Sequence, residues 1–196
     1  MGNEQGKSNS RLGICAMAFT TNNIEQDEFL AIAAKLKQFA EAGTCTRAEF
    51  DEALKEVEKF EESDVELFTR LFTMFDNTGD KVIPIKEYLA GVGGILISGT
   101  VQEKVGFAFK LYDMAETGTI DRANMKKLLN SVNLVTSYFG DPVVSPADID
   151  KLTFDTFQKN PEPTAPMSIS ECVLTVASHQ ITEQFVAGKG TVKFGR

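Results

Sequence analysis

The stretch DNTGDKVIPIKE, residues 76–87, opens on an acid, closes on an acid and places a third at its fifth position. Oxygen-bearing side chains at alternate positions of a tight turn are what a hard cation requires. Such an ion takes six to eight oxygens, and an acid on the following helix can supply two of them at once. The stretch therefore reads as a loop that holds a metal ion, or as one that has kept the shape and lost the ion.

Three other places share its plan. In each, a helical pattern ending on an aromatic meets a polar stretch, then one apolar residue, then an acid or amide four positions on. The apolar centres are Cys45, Ile83, Ile120 and Met167. The residues four further on are Glu49, Glu87, Asn124 and Glu171, each followed by an apolar residue: Phe50, Tyr88, Met125 and Cys172. The centres lie 38, 37 and 47 residues apart. A period of this size marks a repeated supersecondary unit, here helix–loop–helix. Apolar stripes at helical spacing support it: Phe29, Ile32, Leu36, Phe39; Val65, Phe68, Phe72, Phe75; Val101, Val105, Ala108, Tyr112. Ser63-x-x-Glu66, Thr100-x-x-Glu103 and Ser168-x-x-Glu171 have capping-box spacing. Ser145-Pro146 sets a cap before a first-turn proline.

The unit resembles the EF-hand, whose twelve-residue loop places oxygen ligands at 1, 3, 5, 7, 9 and 12 and glycine at 6. In the second repeat these positions are Asp76, Thr78, Asp80, the Val82 carbonyl, Pro84 and Glu87, with Lys81 where glycine belongs. Lys81 at positive φ would cost on the order of 1 kcal/mol, so binding is expected to be weak, about 10⁻⁵ to 10⁻³ M. The third repeat offers Asp113, Thr117, Thr119, Asp121 and Asn124. Gly118 keeps the turn, Ala115 drops a ligand, and Asn124 replaces the closing acid. The first loop (AEAGTCTRAE, 40–49) is short. The fourth (QKNPEPTAPMSISE, 158–171) is long and stiffened by Pro161, Pro163 and Pro166. Both are expected to be structural. The cofactor expected is calcium, at one weak site or none.

The expected fold is all-α: two lobes of paired EF-hands, four helix–loop–helix units with mostly degenerate loops. Residues 1–23 form an N-terminal segment, 24–97 the first lobe, 98–180 the second and 181–196 a tail. EKVGFAFKLYDM (103–114), SGTVQEK (98–104) and the opening MGNEQGKSNSRL resemble neuronal calcium sensors and calcineurin B, and the central stretch also resembles calaxin-like ciliary dynein-docking proteins. The resemblance implies an apolar groove in each lobe that receives a partner's amphipathic helix. Candidate groove residues are Phe29, Phe68, Phe72, Phe107, Leu111, Leu128 and Leu129, which serve equally as ordinary core. The tail from Ile181 either covers a groove or leaves with the partner. The resemblance also implies myristoylation of Gly2, against which Gly6 stands where Ser or Thr is wanted.

Composition narrows the function. A net charge of −8 disfavours nucleic acid. Cys15, Cys45 and Cys172 are odd in number and far apart, so free thiols are expected. The run LGICAMAF (12–19) is short for a leader; a docking segment for the chain's own groove or for a membrane fits as well. His179 is the only histidine, and no Ser-His-Asp or Cys-His set forms without it. GVGG (91–94) lacks a nucleotide-binding spacing and reads as glycines that loosen or end a helix. No enzyme is expected. The expectation is a calcium-responsive regulatory or adaptor subunit; the alternative is a calcium-independent structural adaptor such as a ciliary dynein docking-complex component. The location expected is cytoplasmic, extending to the cytoskeleton or cilium.

Overall fold

The computed structural model describes residues 25–40, 43–57, 62–139, 143–158, 160, 162 and 164–186. Gly2, Cys15, the 12–19 run and the 187–196 end of the tail lie outside the described residues. Nine helices are described: α1 (Gln26–Phe39), α2 (Arg47–Lys55), α3 (Glu62–Phe75), α4 (Ile85–Leu96), α5 (Val101–Tyr112), α6 (Arg122–Tyr138), α7 (Pro146–Phe157), α8 (Ile169–Ala177) and α9 (Gln180–Val186). Four short strands sit between paired helices: β1 (Thr44–Thr46), β2 (Val82–Pro84), β3 (Thr119–Ile120) and β4 (Met167–Ser168). The fold is all-α with paired helix–loop–helix units.

The pairing follows the sequence repeat. β1 and β2 run antiparallel with Cys45 opposite Ile83; β3 and β4 do the same with Ile120 opposite Met167. Each apolar centre is thus a strand residue facing its counterpart, and all four are buried. The strands are too short to stand alone; they fasten two helical hairpins back to back.

Helix starts follow local chemistry. Thr100 and Glu103 form a complete capping box, each taking the other's backbone N–H. Thr46 and Glu49 form another, which the sequence pattern did not single out. Ser145 caps α7, with Pro146 in its first turn. Ser168 caps α8 by accepting the Glu171 N–H. The Ser63 side chain lies outside the described residues.

One apolar core runs through both halves. Phe29 of α1 stacks on Phe68 of α3 at 6.4 Å between ring centroids and meets Phe107 of α5 edge-on at 5.8 Å. All seven groove candidates lie within this core, each 3% exposed or less. The glycines of α4 make the close approach possible. The sequence reading expected them to loosen or end the helix; instead α4 runs unbroken through them, and Gly91–Gly94 are buried. A Cβ on Gly91 would stand 2.7 Å from the Ser131 carbonyl oxygen, and one on Gly93 only 2.3 Å from Leu111 Cδ1. Glycine here gives up helix propensity for contact between α4 and the helices of the second half. The short α9 packs against α5, α6 and α8, with Val186 buried among Val105, Ala108, Leu128, Leu129 and Val132.

Candidate metal centre

In loop 76–87 the backbone turns at two left-handed residues, Gly79 at φ 74° and Lys81 at φ 64°. Asp76 holds both: its Oδ1 accepts the Gly79 N–H at 2.8 Å and its Oδ2 the Lys81 N–H at 3.1 Å. Asp80 Oδ1 accepts the Val82 N–H at 3.1 Å. Loop 113–124 repeats the turn at the same places, with Glu116 at φ 53° and Gly118 at φ 68°. Asp113 Oδ2 accepts the Gly118 N–H at 2.8 Å, and Oδ1 takes the Thr117 N–H and hydroxyl, each at 3.0 Å. Burial is the largest single influence on Asp113 and raises its pKa, but the bonds from Gly118 and Thr117 together outweigh it and hold the carboxyl below the ordinary aspartate range. Lys81 thus adopts the backbone that Gly118 adopts in the sister loop. Turn shape survives where the glycine does not.

The two loops differ at their last position. Glu49, Glu87, Asn124 and Glu171 each occupy the third residue of a helix. At that place a side chain can fold back onto its own cap. Glu49 does so, taking the Thr46 N–H at 2.6 Å, and this bond lowers its pKa. Asn124 gives its Nδ2 hydrogen to Asp121 Oδ2 at 2.7 Å, while Asp121 Oδ1 accepts the Asn124 N–H. Glu87 cannot do this. Its cap residue is Pro84, which has no N–H and makes no side-chain cap bond. One carboxylate oxygen, Glu87 Oε2, is buried and without a hydrogen-bond partner. In sequence Pro84 looked only like a missing ligand. In the structure it also removes the competitor for the closing carboxylate.

The paired helix–loop–helix units have the EF-hand arrangement that the resemblance implied. The chain is 29% identical over 119 residues to calcium-binding protein NCSA of Dictyostelium discoideum, covering 61% of this chain and 62% of that one. It is 28% identical over 133 residues to guanylyl cyclase inhibitory protein of Lithobates pipiens, covering 67% and 64%. It is 32% identical over 74 residues to calcium-binding protein K of Dictyostelium discoideum, covering 38% of each. The matches span less than two thirds of the length of these relatives. No family profile matches the chain.

A calcium ion fits the donors of one loop better than those of the other. A buried carboxylate oxygen without a partner is costly, and in the EF-hand 76–87 such an oxygen stands at the bidentate position. Asp76, Thr78, Asp80, the Val82 carbonyl and Glu87 are the residues that would hold the ion. The leading carboxylates of both loops hydrogen-bond their own loop backbone; the contrast is that in loop 113–124 the closing Asn124 is already paired with Asp121 and the Thr119 carbonyl already accepts the Thr117 hydroxyl at 3.1 Å. Among the described residues no three His, Cys, Asp or Glu side chains converge on one point.

The remaining reactive groups are quiet. Burial, with a smaller contribution from Glu49, pushes the Cys45 thiol up to about 12; burial, then Glu171, pushes Cys172 up to about 11. Both are free and buried, which disfavours the nucleophilic thiolate. His179 Nδ1 accepts the Ile181 N–H at 3.3 Å and its Nε2 lies 3.9 Å from Asp155. Sequence reasoning missed Lys86 and Tyr112, which stand beside Glu87 and Asn124. Their adjacency to loop ends, Lys86 before Glu87 and Tyr112 before Asp113, was the available signal.

Proposed function

We propose that the chain is a non-catalytic, calcium-responsive regulatory or adaptor subunit with one weak site at 76–87 and an apolar groove for a partner's helix. The carrying observation is Glu87 Oε2, buried and unpartnered at the end of a loop whose first carboxylate has already organised the turn. Bound calcium would supply the counter-charge that this carboxylate lacks. The names of the relatives, two of them calcium-binding proteins, support the same ion. The groove is closed in this conformation, because Phe29, Phe68, Phe72, Phe107, Leu111, Leu128 and Leu129 are buried. Its second-half portion is covered by α9, so a partner helix would take the place of Val186 against Leu128 and Leu129.

A second reading is an ion-independent adaptor of the ciliary docking kind. It is favoured by loop 113–124, whose donors the chain satisfies by itself. Calorimetric titration of calcium into the wild type and Glu87→Gln separates the two. Heat in the wild type alone, with faster amide exchange in α3, supports the sensor. Heat in neither protein rejects it in favour of the adaptor.

A further inference from the structure

We infer that His179 is a proton-sensitive latch on α9: the neutral ring holds the helix over its apolar seat, and the charged ring lets go of it and pairs with Asp155 of α7 instead. What the opened seat would admit rests on the groove reading above; the latch itself does not.

α9 covers the pocket into which Val186 packs, and its fastening is light. Its 7 residues are too few to hold a helix by themselves. Thr182, the third of them, is fully buried, yet its hydroxyl has no hydrogen-bond partner among the described residues. An unmade buried bond of this kind is a cost that the closed lid carries. The hydrogen bonds at the start of the helix go to His179, the residue immediately before it. Its carbonyl accepts the Thr182 N–H at 2.9 Å, and its ring Nδ1 accepts the Ile181 N–H at 3.3 Å. These are N–H groups that a helix start cannot satisfy internally. A ring nitrogen that accepts carries no hydrogen, so the neutral ring has its hydrogen on Nε2. That nitrogen faces Asp155 Oδ2 across 3.9 Å.

Protonation puts a hydrogen on Nδ1, against the Ile181 N–H, and the cap bond is lost. The same proton charges the ring, which then favours the Asp155 carboxylate. Both effects draw the ring from α9 toward α7. Histidine is the side chain that ordinarily makes this change between about pH 5 and 8. Asp155 is the charged group that faces the ring. On the elements packed against α9 the charges are engaged elsewhere: Lys104 of α5 donates to the Ile95 carbonyl at 3.2 Å, Lys126 of α6 pairs with Asp150, and Arg122 of α6 lies over the Phe154 ring. Glu171 stands at the opposite end of α8 from His179, while Lys151 and Glu183 are exposed. The unpartnered Thr182 hydroxyl keeps the closed position shallow, so one cap bond decides between closed and open.

The test is a titration of the full-length protein from about pH 8 to pH 5, with neither calcium nor partner present, so that its failure leaves the function proposed above standing. Amide exchange of Ile181 and Thr182, divided by the intrinsic rate at each pH, reads the cap; the Val186 methyl NMR signals read the seat. In the wild type both report an open population that rises about three- to tenfold on acidification, the worth of one helix cap. His179→Asn keeps a capping oxygen that does not titrate, and it stays closed throughout. Asp155→Asn removes the counter-charge and moves the opening to lower pH. Thr182→Val exchanges the hydroxyl for a methyl and lowers the open population about three- to tenfold at every pH. A His179→Asn protein that follows the wild-type curve overturns the inference, and so does a wild type that is flat over the range. Ring nitrogen shifts at the alkaline end that place the hydrogen on Nδ1 overturn it as well.

Discussion

Two helix-interior glycines should respond to alanine with opposite signs. In an exposed helix interior, alanine for glycine gains about 1 kcal/mol. At Gly106 of α5 the new methyl would find only Val173 Cγ1 at 3.7 Å, an ordinary contact. Gly106→Ala is therefore expected to stabilise by about 0.5–1 kcal/mol. At Gly91 the methyl would meet Ser131 oxygen at 2.7 Å, Ser131 carbon at 2.9 Å and Phe75 Cζ at 2.9 Å, all well inside the 3.4 Å where normal contact begins. Two of the three obstacles are backbone, which cannot rotate away. Separating α4 from α6 opens packing on both sides, and overfilling of this kind costs about 1–3 kcal/mol. The backbone obstacles place the cost in the upper part of that range, about 2–3 kcal/mol, so against the propensity gain of about 1 kcal/mol Gly91→Ala should lose about 1–2 kcal/mol. At this chain length that is a fall of about 2–8 °C in unfolding temperature. Urea titrations followed by far-ultraviolet circular dichroism measure both variants. Gly91→Ala as stable as the wild type, or Gly106→Ala as damaging as Gly91→Ala, would refute the reasoning.

Lys81→Gly relieves a left-handed residue costing about 1–2 kcal/mol, offset by about 0.5–1 kcal/mol of added freedom in the unfolded chain. Stability should rise by up to about 1 kcal/mol in urea, and loss of the ammonium should tighten calcium by about two- to fivefold at low salt. Asp113 predicts an acid response. Its folded pKa is depressed, so its contribution is present above the unfolded value of about 3.9 and disappears as pH falls through the folded value. The urea midpoint of the wild type should therefore drop below about pH 4 more steeply than that of Asp113→Asn; parallel curves would exclude the Asp113 contribution.

The repeat made the pairing scheme legible, because Cys45, Ile83, Ile120 and Met167 are spaced by a unit with one strand residue each, and local turn chemistry identified both twelve-residue loops. What resisted reading was long-range. An apolar stripe looks the same whether it lines a groove or a sealed core, so Phe29 and Phe107 gave no hint that they would meet across the halves. Glycines serve both turns and close helix contacts, and nothing near GVGG in the chain says which. The tie between Lys86 and Asn124 joins residues 38 apart, beyond any local pattern. Pro84 shows a subtler limit: its effect on Glu87 is the absence of a hydrogen, visible only once the helix start is located.

The unbroken run of α4 through Gly91–Gly94 has a consequence for how the molecule comes apart. This one rod is walled by side chains of both halves, Phe29 and Phe75 from the first and Phe107, Leu111 and Val132 from the second, so melting either half strips one of its faces. A break after residue 97 would leave each fragment with a raw apolar flank, prone to clump in water. The two halves are therefore expected to unfold in a single transition, and an ion taken up at loop 76–87 to stabilise both.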